Sequence, residues 1–158
     1  MQIQRQENGA FVVSEIEPPL HEILLAIPTA ADPAENVAAN ERLFPDPVTH
    51  EDADEICEEW RDYVKPELYD WFQSATSIVA ADLNQLLLKQ TLEIASTHVD
   101  AWLTTLNQAR LVLAARFDIT EEDMDRPVSH LLENERDFAL FQIHLYAFLQ
   151  ECLIRGIE

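Results

Sequence analysis

Glycine is nearly absent from this chain of 158 residues, which contains only Gly9 and Gly156. Phosphate-binding loops and nucleophile elbows need closely spaced glycines, because the backbone there turns sharply or approaches a ligand. Nucleotide chemistry by the usual routes is therefore excluded.

Cysteine is equally scarce. Cys57 and Cys152 are too few for a disulfide framework and too isolated for a CxxC-type zinc site, so we interpret both as reduced thiols of the core. The histidines form no more than pairs with nearby carboxylates, whereas a zinc site needs at least three protein ligands. The sequence thus predicts neither a metal nor a cofactor.

Positive charge is the third shortage, with ten Lys and Arg against thirty Asp and Glu and a net charge of −20. Without a basic patch the chain has nothing to neutralise phosphates, so direct nucleic-acid binding is not expected. The partner predicted by this charge is a protein or another cationic species. No apolar run approaches the ~18 residues of a membrane span, and the N-terminus lacks the pattern of a signal peptide. We therefore expect a cytoplasmic protein that does not contact the membrane.

The acidic excess is concentrated in two blocks. Residues 46–70 contain ten acids and two bases, and residues 118–137 contain eight acids and two bases. Length and an apolar content of 47% predict one folded domain, residues 1–158.

Turn and proline signals divide the first third of the chain. Strand-like runs around Asn8-Gly9 predict a small β-hairpin over residues 1–17. A short helix is expected over residues 18–28, ended by Pro28, and a proline-containing irregular connection over residues 29–48, held by Leu43 and Phe44.

The sequence pattern of residues 49–158 predicts a helical core. A hydroxyl followed three residues later by a carboxylate marks a helix start, and this pattern occurs at Thr49/Asp52, Thr97/Asp100 and Thr120/Asp123. Lys65-Pro66 is expected to break or kink the first of these helices. The other predicted helices span about 67–90, 99–117 and 135–155. The prediction is an all-α, single-domain bundle of about five helices with a small N-terminal β-hairpin. Since the last helix is apolar nearly all round, it is expected to be central or to lie in a subunit interface, which leaves a homo-oligomer open.

The helix after Thr49 is predicted to be amphipathic. Its apolar stripe is Ala53, Ile56, Cys57, Trp60, Tyr63 and Val64. Its acidic face is Glu51, Asp52, Asp54, Glu55, Glu58, Glu59 and Asp62. We expect this face to be exposed and either to engage a partner or to serve solubility alone.

Two charged residues lie within apolar stripes. Arg110 falls within about 20° of the centre of the apolar stripe on the helix predicted over about 99–117. Asp82 falls about 40° from the centre of the apolar stripe on the helix predicted over about 67–90. Because a lone buried charge is costly, we predict a buried ion pair between Arg110 and either Asp82 or Glu151. A substrate-binding role for Arg110 is the alternative.

Two helical segments carry a family resemblance. They are Ala101-Trp-Leu-Thr-Thr-Leu-Asn-Gln-Ala-Arg-Leu-Val-Leu and Tyr146-Ala-Phe-Leu-Gln-Glu-Cys-Leu-Ile, supported by Glu41-Arg-Leu-Phe-Pro. Together they resemble the paired signature of the bacterial family catalogued as domain of unknown function twenty-seventeen. The motif positions in this chain are Trp102, Asn107, Arg110, Tyr146, Gln150 and Glu151. The resemblance implies an intracellular, mainly helical protein without established enzymatic activity, in a family that includes some described regulators.

The function expected from these features is that of a non-enzymatic interaction or regulatory protein. One alternative is an enzyme with an internal polar pocket around Arg110 and Asn107, with Glu151 or Asp82 as its carboxylate. The other is a DNA mimic, which needs acids at phosphate-like spacing along one surface.

Overall fold

The computed structural model describes residues 1–50, 53–125 and 134–157. Most of these residues are helical, as predicted, and a small antiparallel sheet is formed mainly near the N-terminus. The helices are α1 (Pro18–Leu25), α2 (Ile27–Ala31), α3 (Val37–Leu43), α4 (Asp54–Glu59), α5 (Lys65–Leu83), α6 (Val99–Arg116), α7 (Glu121–Met124) and α8 (Glu135–Ile157). The strands are β1 (Gln2–Arg5), β2 (Phe11–Ser14) and β3 (Leu92–Ile94).

The predicted hairpin is present and turns at Gly9. The φ angle of Gly9 is 82°, in the left-handed region that favours glycine. The side chain of Asn8 accepts a hydrogen bond from the backbone N–H of Ala10 over 3.0 Å, which supports the turn. β1 and β2 pair in antiparallel fashion, with Ile3 opposite Val13.

A third strand, which was not predicted, lies between the helices predicted over about 67–90 and 99–117. β3 pairs with β2 in antiparallel fashion, with Phe11 opposite Ile94. Three residues are too few to show the alternation of a strand, and the partner strand lies some eighty positions earlier in the chain. Leu92 and Ile94 are buried, so β3 contributes one face to the core.

Pro28 begins a helix rather than ending one. It lies in the first turn of α2, where its fixed φ angle is favourable and its missing N–H has no helical partner to lose. The short helix predicted over residues 18–28 is thus two helices, α1 and α2.

The irregular connection predicted over residues 29–48 contains a regular helix, α3. Asn36 caps α3 by accepting a hydrogen bond from the N–H of Ala39 over 2.9 Å. Leu43 and Phe44 are 8% and 4% exposed, which confirms that they anchor this segment in the core.

Of the break or kink predicted at Lys65-Pro66, the break is absent, because a π-helical turn over Trp60–Val64 joins α4 to α5. The N–H of Lys65 bonds to the carbonyl of Trp60, five residues earlier. In a regular α-helix, the ring of Pro66 would clash with the carbonyl of Asp62. The wider π turn relieves this clash, so the helix continues through the proline.

Only one of the three predicted helix caps is present as such. Thr120 and Asp123 form a capping box at the start of α7, where Asp123 Oδ2 accepts hydrogen bonds from the backbone N–H and hydroxyl of Thr120, each over 2.9 Å. Thr97 instead lies in a 3₁₀ turn, and α6 begins after His98 without a side-chain cap.

The cap predicted at Thr49 is also wrong. Helix α4 begins at Asp54 with Ala53 as its N-cap, four residues beyond Thr49, and no side chain caps it. Asp52, the other half of the predicted pair, lies outside the described residues.

Helix α6 is the centre of the fold, and α8 packs on it together with α2, α3 and α5. Its residues Trp102, Leu106 and Ala109 are at most 1% exposed. Phe138, Phe148 and Ile154 on α8 are exposed, so this helix packs on α6 without being buried all round, and a subunit interface on its outer face stays a prediction. Among the described helices, none has both the length and the apolarity required to cross a membrane.

Candidate functional site

Arg110 lies on α6 and is held by an amide of α8. Its Nη1 donates a hydrogen bond to Oε1 of Gln150 over 2.5 Å. Nε2 of Gln150 in turn donates to the backbone carbonyl of Leu103 over 3.0 Å. Because the amide nitrogen is used by Leu103, the amide oxygen faces the guanidinium, and Gln150 sets the position of Arg110.

The predicted ion pair between Arg110 and Asp82 is wrong. Asp82 Oδ2 accepts a hydrogen bond from the indole Nε1 of Trp102 over 2.9 Å and lies 3.0 Å from Nδ1 of His98. Trp102 is eight positions before Arg110, which corresponds to about 12 Å along an α-helix. Asp82, on α5, therefore contacts the beginning of α6, about two helical turns away from Arg110.

The alternative pair with Glu151 is wrong as well. Glu151 is exposed and forms an ion pair with Arg155, four residues later on α8, over 2.5 Å. No ion pair joins Arg110 to any carboxylate of the described residues. The sequence analysis missed the neutral partner, Gln150, although it is one of the family-motif positions.

A pocket of about 210 Å³ lies beside Arg110, between α6, α7 and α8. Asn107 and Arg110 provide its amide and its guanidinium. The apolar residues around it come from all three helices and from the connection before α7. The lining residues are Asn107, Arg110, Leu111, Ala114, Ile119, Thr120, Glu121, Met124 and Ile143.

The guanidinium of Arg110 is partly removed from water, and none of the described carboxylates pairs with it. Burial lowers the pKa of Arg110. Its Nε is buried and has no hydrogen-bond partner among the described residues. A cation held by a single neutral amide is less well compensated than a cation paired with a carboxylate.

A pocket thus borders Arg110 and Asn107, but most of its lining is apolar and the two carboxylates expected beside Arg110 are elsewhere. Neither Asp82 nor Glu151 lines it, and the carboxylate among its lining residues is Glu121.

Trp102 and Tyr146, two further motif positions, are structural. Trp102 ties α6 to Asp82 on α5, as described above. Tyr146 is fully buried, and its hydroxyl donates to the backbone carbonyl of Ile23 over 3.0 Å while accepting from Gln142 over 3.3 Å. Burial raises the pKa of Tyr146, so this phenol remains a neutral donor.

The acidic face of α4 and the π turn is exposed where the structure describes it. Glu51 and Asp52 lie outside the described residues. The exposed members are Asp54, Glu55, Glu58, Glu59 and Asp62.

Half of the apolar stripe predicted for this helix is wrong. Ala53 and Cys57 are buried, with exposed fractions of 5% and 6%, and the partly buried Trp60 packs against the core. By contrast, Ile56, Tyr63 and Val64 are 55%, 74% and 47% exposed. The π turn changes the angular position of the residues it contains, which a uniform 100° per residue does not anticipate.

Four exposed apolar side chains are aligned along the helix from α4 to α5, and we call them the apolar ridge. They are Ile56, Val64, Trp71 and Ile78. Val64, Trp71 and Ile78 follow one another at intervals of seven residues, which return to within about 20° of the same helical face. Ile56 precedes Val64 by eight residues, and the π turn accommodates the additional one. Trp71 is the largest of the four and is 56% exposed.

Three carboxylates lie close to the apolar ridge in sequence. Glu59 and Glu67 follow Ile56 and Val64 by three positions, and Asp70 immediately precedes Trp71. All three carboxylates belong to exposed residues.

The two bases of this acidic block are engaged elsewhere. Arg61 forms two hydrogen bonds to the carboxylate of Asp46, one of them over 2.9 Å, and these bonds lower the pKa of Asp46. Lys65 Nζ lies 5.5 Å from the centre of the Phe44 ring. The carboxylates beside the ridge thus have no basic partner in the described part of this helix.

Cys57 and Cys152 are free thiols, and Cys57 is buried. Burial raises the pKa of Cys152, which opposes the reactive thiolate. Within residues 1–50, 53–125 and 134–157, no group of three or more His, Cys, Asp or Glu is arranged to hold a metal ion.

These features define a mainly helical protein with a three-stranded antiparallel sheet, a small pocket beside Arg110 and an acidic helix with an exposed apolar ridge. The chain belongs to the family described as Domain of unknown function (DUF2017), which matches residues 7–157. The resemblance stated from the two helical motifs is thereby confirmed. No curated protein and no solved structure matches the chain significantly.

Proposed function

We propose that this protein is a non-enzymatic interaction protein that binds a cationic amphipathic segment of a partner protein along the apolar ridge. The observation that carries the proposal is the exposure of Trp71 and its three ridge neighbours on a strongly acidic helix. Large apolar side chains aligned on a surface and bordered by charges are typical of protein interaction sites.

The geometry of the ridge favours a helical partner. Apolar residues at seven-residue intervals are the pattern by which two helices pack against one another. From Val64 to Ile78 the ridge extends over fourteen residues, or about 21 Å of helix. A partner helix of about four turns matches this length.

The charge around the ridge favours a basic partner over a second copy of this chain. A second copy brings its own Glu59, Glu67 and Asp70 and its net charge of −20 to the contact. Like charges brought together at an interface are unfavourable, whereas Lys and Arg beside the partner's apolar residues complement these carboxylates.

Binding of a defined probe tests the proposal. The probe is a labelled amphipathic helical peptide of Leu and Lys, compared with the same peptide carrying Glu in place of Lys. We expect the wild-type protein to bind only the Lys peptide, with an affinity that falls as salt is raised. A wild-type protein that binds neither peptide would contradict the proposal.

Two variants separate the roles of charge and apolar surface. One replaces Asp54 and Asp62 by Asn and Glu58 and Glu59 by Gln, and the other is Trp71→Ala. Both are expected to stay folded and to bind the Lys peptide more weakly. Phe148→Ala is the matched control, because Phe148 is a similarly exposed aromatic residue on α8, with 48% exposure. If Trp71→Ala and Phe148→Ala bind the Lys peptide equally well, the peptide is attracted only by the charge of the protein and not by the apolar ridge.

A pull-down from native cells at physiological salt extends the test to natural partners. We expect proteins captured by the wild type to be lost from both variants. If instead the wild type dimerises in sedimentation and Trp71→Ala does not, the apolar ridge binds a second copy of this chain. DNA-binding proteins retained by Trp71→Ala but lost from the charge variant would favour the DNA-mimic alternative.

A further inference from the structure

Arg110, at the pocket between α6, α7 and α8, forms no ion pair with any carboxylate of the described residues. The guanidinium is partly buried, and Gln150 is its hydrogen-bond partner among the described residues. No ion pair reaches it from the described part of the chain. The Gln150 amide is itself tied to Leu103, so it holds the guanidinium in place but does not neutralise it.

From this arrangement we propose that the pocket binds a small organic carboxylate that carries a single negative charge and an apolar body. Arg110 is the anchor for the carboxylate, since the guanidinium matches its two oxygens in plane and hydrogen-bonding geometry. Asn107 lies one helical turn before Arg110 and offers an amide N–H to the same group.

The composition of the pocket selects a single charge over a multiple one. Arg110 is the one basic residue among its lining residues, and Glu121 adds a negative charge at the same pocket. Inorganic phosphate and nucleotides carry more charge than one guanidinium beside a carboxylate compensates, and they need additional donors.

The other lining residues are mostly apolar, which is why we expect the ligand to have an apolar body. Leu111, Ala114 and Ile119 contribute aliphatic surface, together with Met124 and Ile143. The volume of about 210 Å³ exceeds the roughly 150 Å³ of an apolar cavity that takes up benzene. A six-carbon ring or branched chain with one carboxylate therefore fits.

Benzoate and benzamide are suitable probes, because they share their shape and differ in charge. Binding is measured on the full chain by calorimetry and by chemical-shift changes of backbone amides in α6, α7 and α8. We expect benzoate to bind at least about tenfold more tightly than benzamide, with shifts centred on the pocket. No binding at millimolar benzoate, or equal binding of the two probes, would overturn the proposal. Tighter binding of inorganic phosphate than of benzoate would also overturn it.

Variants assign the binding to this pocket. Arg110→Gln is expected to remove the preference for benzoate. Arg116→Gln, at another half-buried arginine of α6 that does not line the pocket, is expected to retain it. Ala114→Leu fills the pocket without altering Arg110 and is expected to abolish binding of both probes, which keeps the test decisive if Arg110→Gln fails to fold. Benzoate binding that survives Ala114→Leu unchanged would contradict this assignment.

Discussion

Asp82 accepts the indole N–H of Trp102 over 2.9 Å and thereby joins α5 to the first turn of α6. Trp102 is only 1% exposed, so its N–H has no access to water if this bond is lost. The same carboxylate lies against His98, which makes Asp82 the acceptor for two side chains. One of the two acids predicted as a partner of Arg110 is therefore engaged instead at the start of α6.

Asp82→Ala is expected to destabilise the protein by about 1–3 kcal/mol, because a buried indole donor is left unpaired. Asp82→Asn retains an acceptor oxygen and is expected to cost less. Urea unfolding monitored by circular dichroism measures both. Asp70→Asn, an exposed change on the same helix, is the control and is expected to have little effect. Equal losses for Ala and Asn would show that the hydrogen bond to Trp102 is not the important interaction.

Gly156→Ala is expected to be destabilising, although alanine is normally the better helix residue. The backbone of Gly156 near the end of α8 packs directly on the ring of Phe11, and a Cβ atom would overlap that ring. Phe11 is 2% exposed and belongs to the core, so it cannot swing into solvent. We expect a loss of about 1–3 kcal/mol, measured by thermal unfolding.

Arg155→Ala serves as the control for Gly156→Ala, because it changes the neighbouring residue. It removes an exposed ion pair with Glu151 and is expected to alter stability by less than about 1 kcal/mol. If Gly156→Ala is as stable as this control or more stable, the close packing of Phe11 on α8 is not maintained in solution.

Asp123 is expected to make stability depend on pH in the acidic range. Hydrogen bonds from Arg136, and then from Thr120, lower the pKa of Asp123. In the unfolded chain this carboxyl takes up a proton at about pH 4, whereas in the folded protein it does so only at lower pH. Its stabilising contribution is thus fully present above that range and is lost as the pH falls.

Asp123→Asn tests this pH dependence by urea unfolding at pH 7 and pH 3. The variant is expected to be less stable than wild type at pH 7, with a smaller difference at pH 3. Asp125→Asn, an exposed carboxylate just after the same short helix, is expected to show little change at either pH. A difference between Asp123→Asn and wild type that stays constant from pH 7 to pH 3 would contradict the pKa argument.

Protein purified without an affinity tag or added metal is expected to contain no stoichiometric transition metal. The sequence offers ligands only in pairs, and the described residues form no cluster of three. Elemental analysis by mass spectrometry measures the content, with buffer as the blank. One zinc or iron per chain would contradict this prediction.

Local signals in the sequence were sufficient for several elements. The turn at Asn8-Gly9 and the capping box at Thr120 each depend on residues within a few positions of one another, so their geometry follows from nearby residues alone. Helices α6 and α8 lie within two residues of their predicted bounds, since long stretches with helical periodicity are the strongest sequence signal.

The candidate sites depended on contacts that no local pattern contains. Arg110 and Gln150 are forty positions apart, and choosing Gln150 over Glu151 needs the relative rotation of α6 and α8. The apolar ridge was not anticipated, because Ile56 and Val64 were predicted to be buried and the π turn that contains Val64 changes the angular spacing along this helix.

The sequence by itself determined that this chain is mainly helical, acidic, and without phosphate-binding loops, because composition and short-range periodicity carry that information. The tertiary structure alone decided that Asp82 binds Trp102, that Arg110 contacts the amide of Gln150 rather than a described carboxylate, and that β3 joins the N-terminal hairpin. Each of these contacts joins residues that are far apart in the chain, and the chain contains other residues of similar chemistry that could have formed it. The packing of whole helices determines which contact forms, because the free energy of their apolar burial outweighs that of any single ion pair or hydrogen bond.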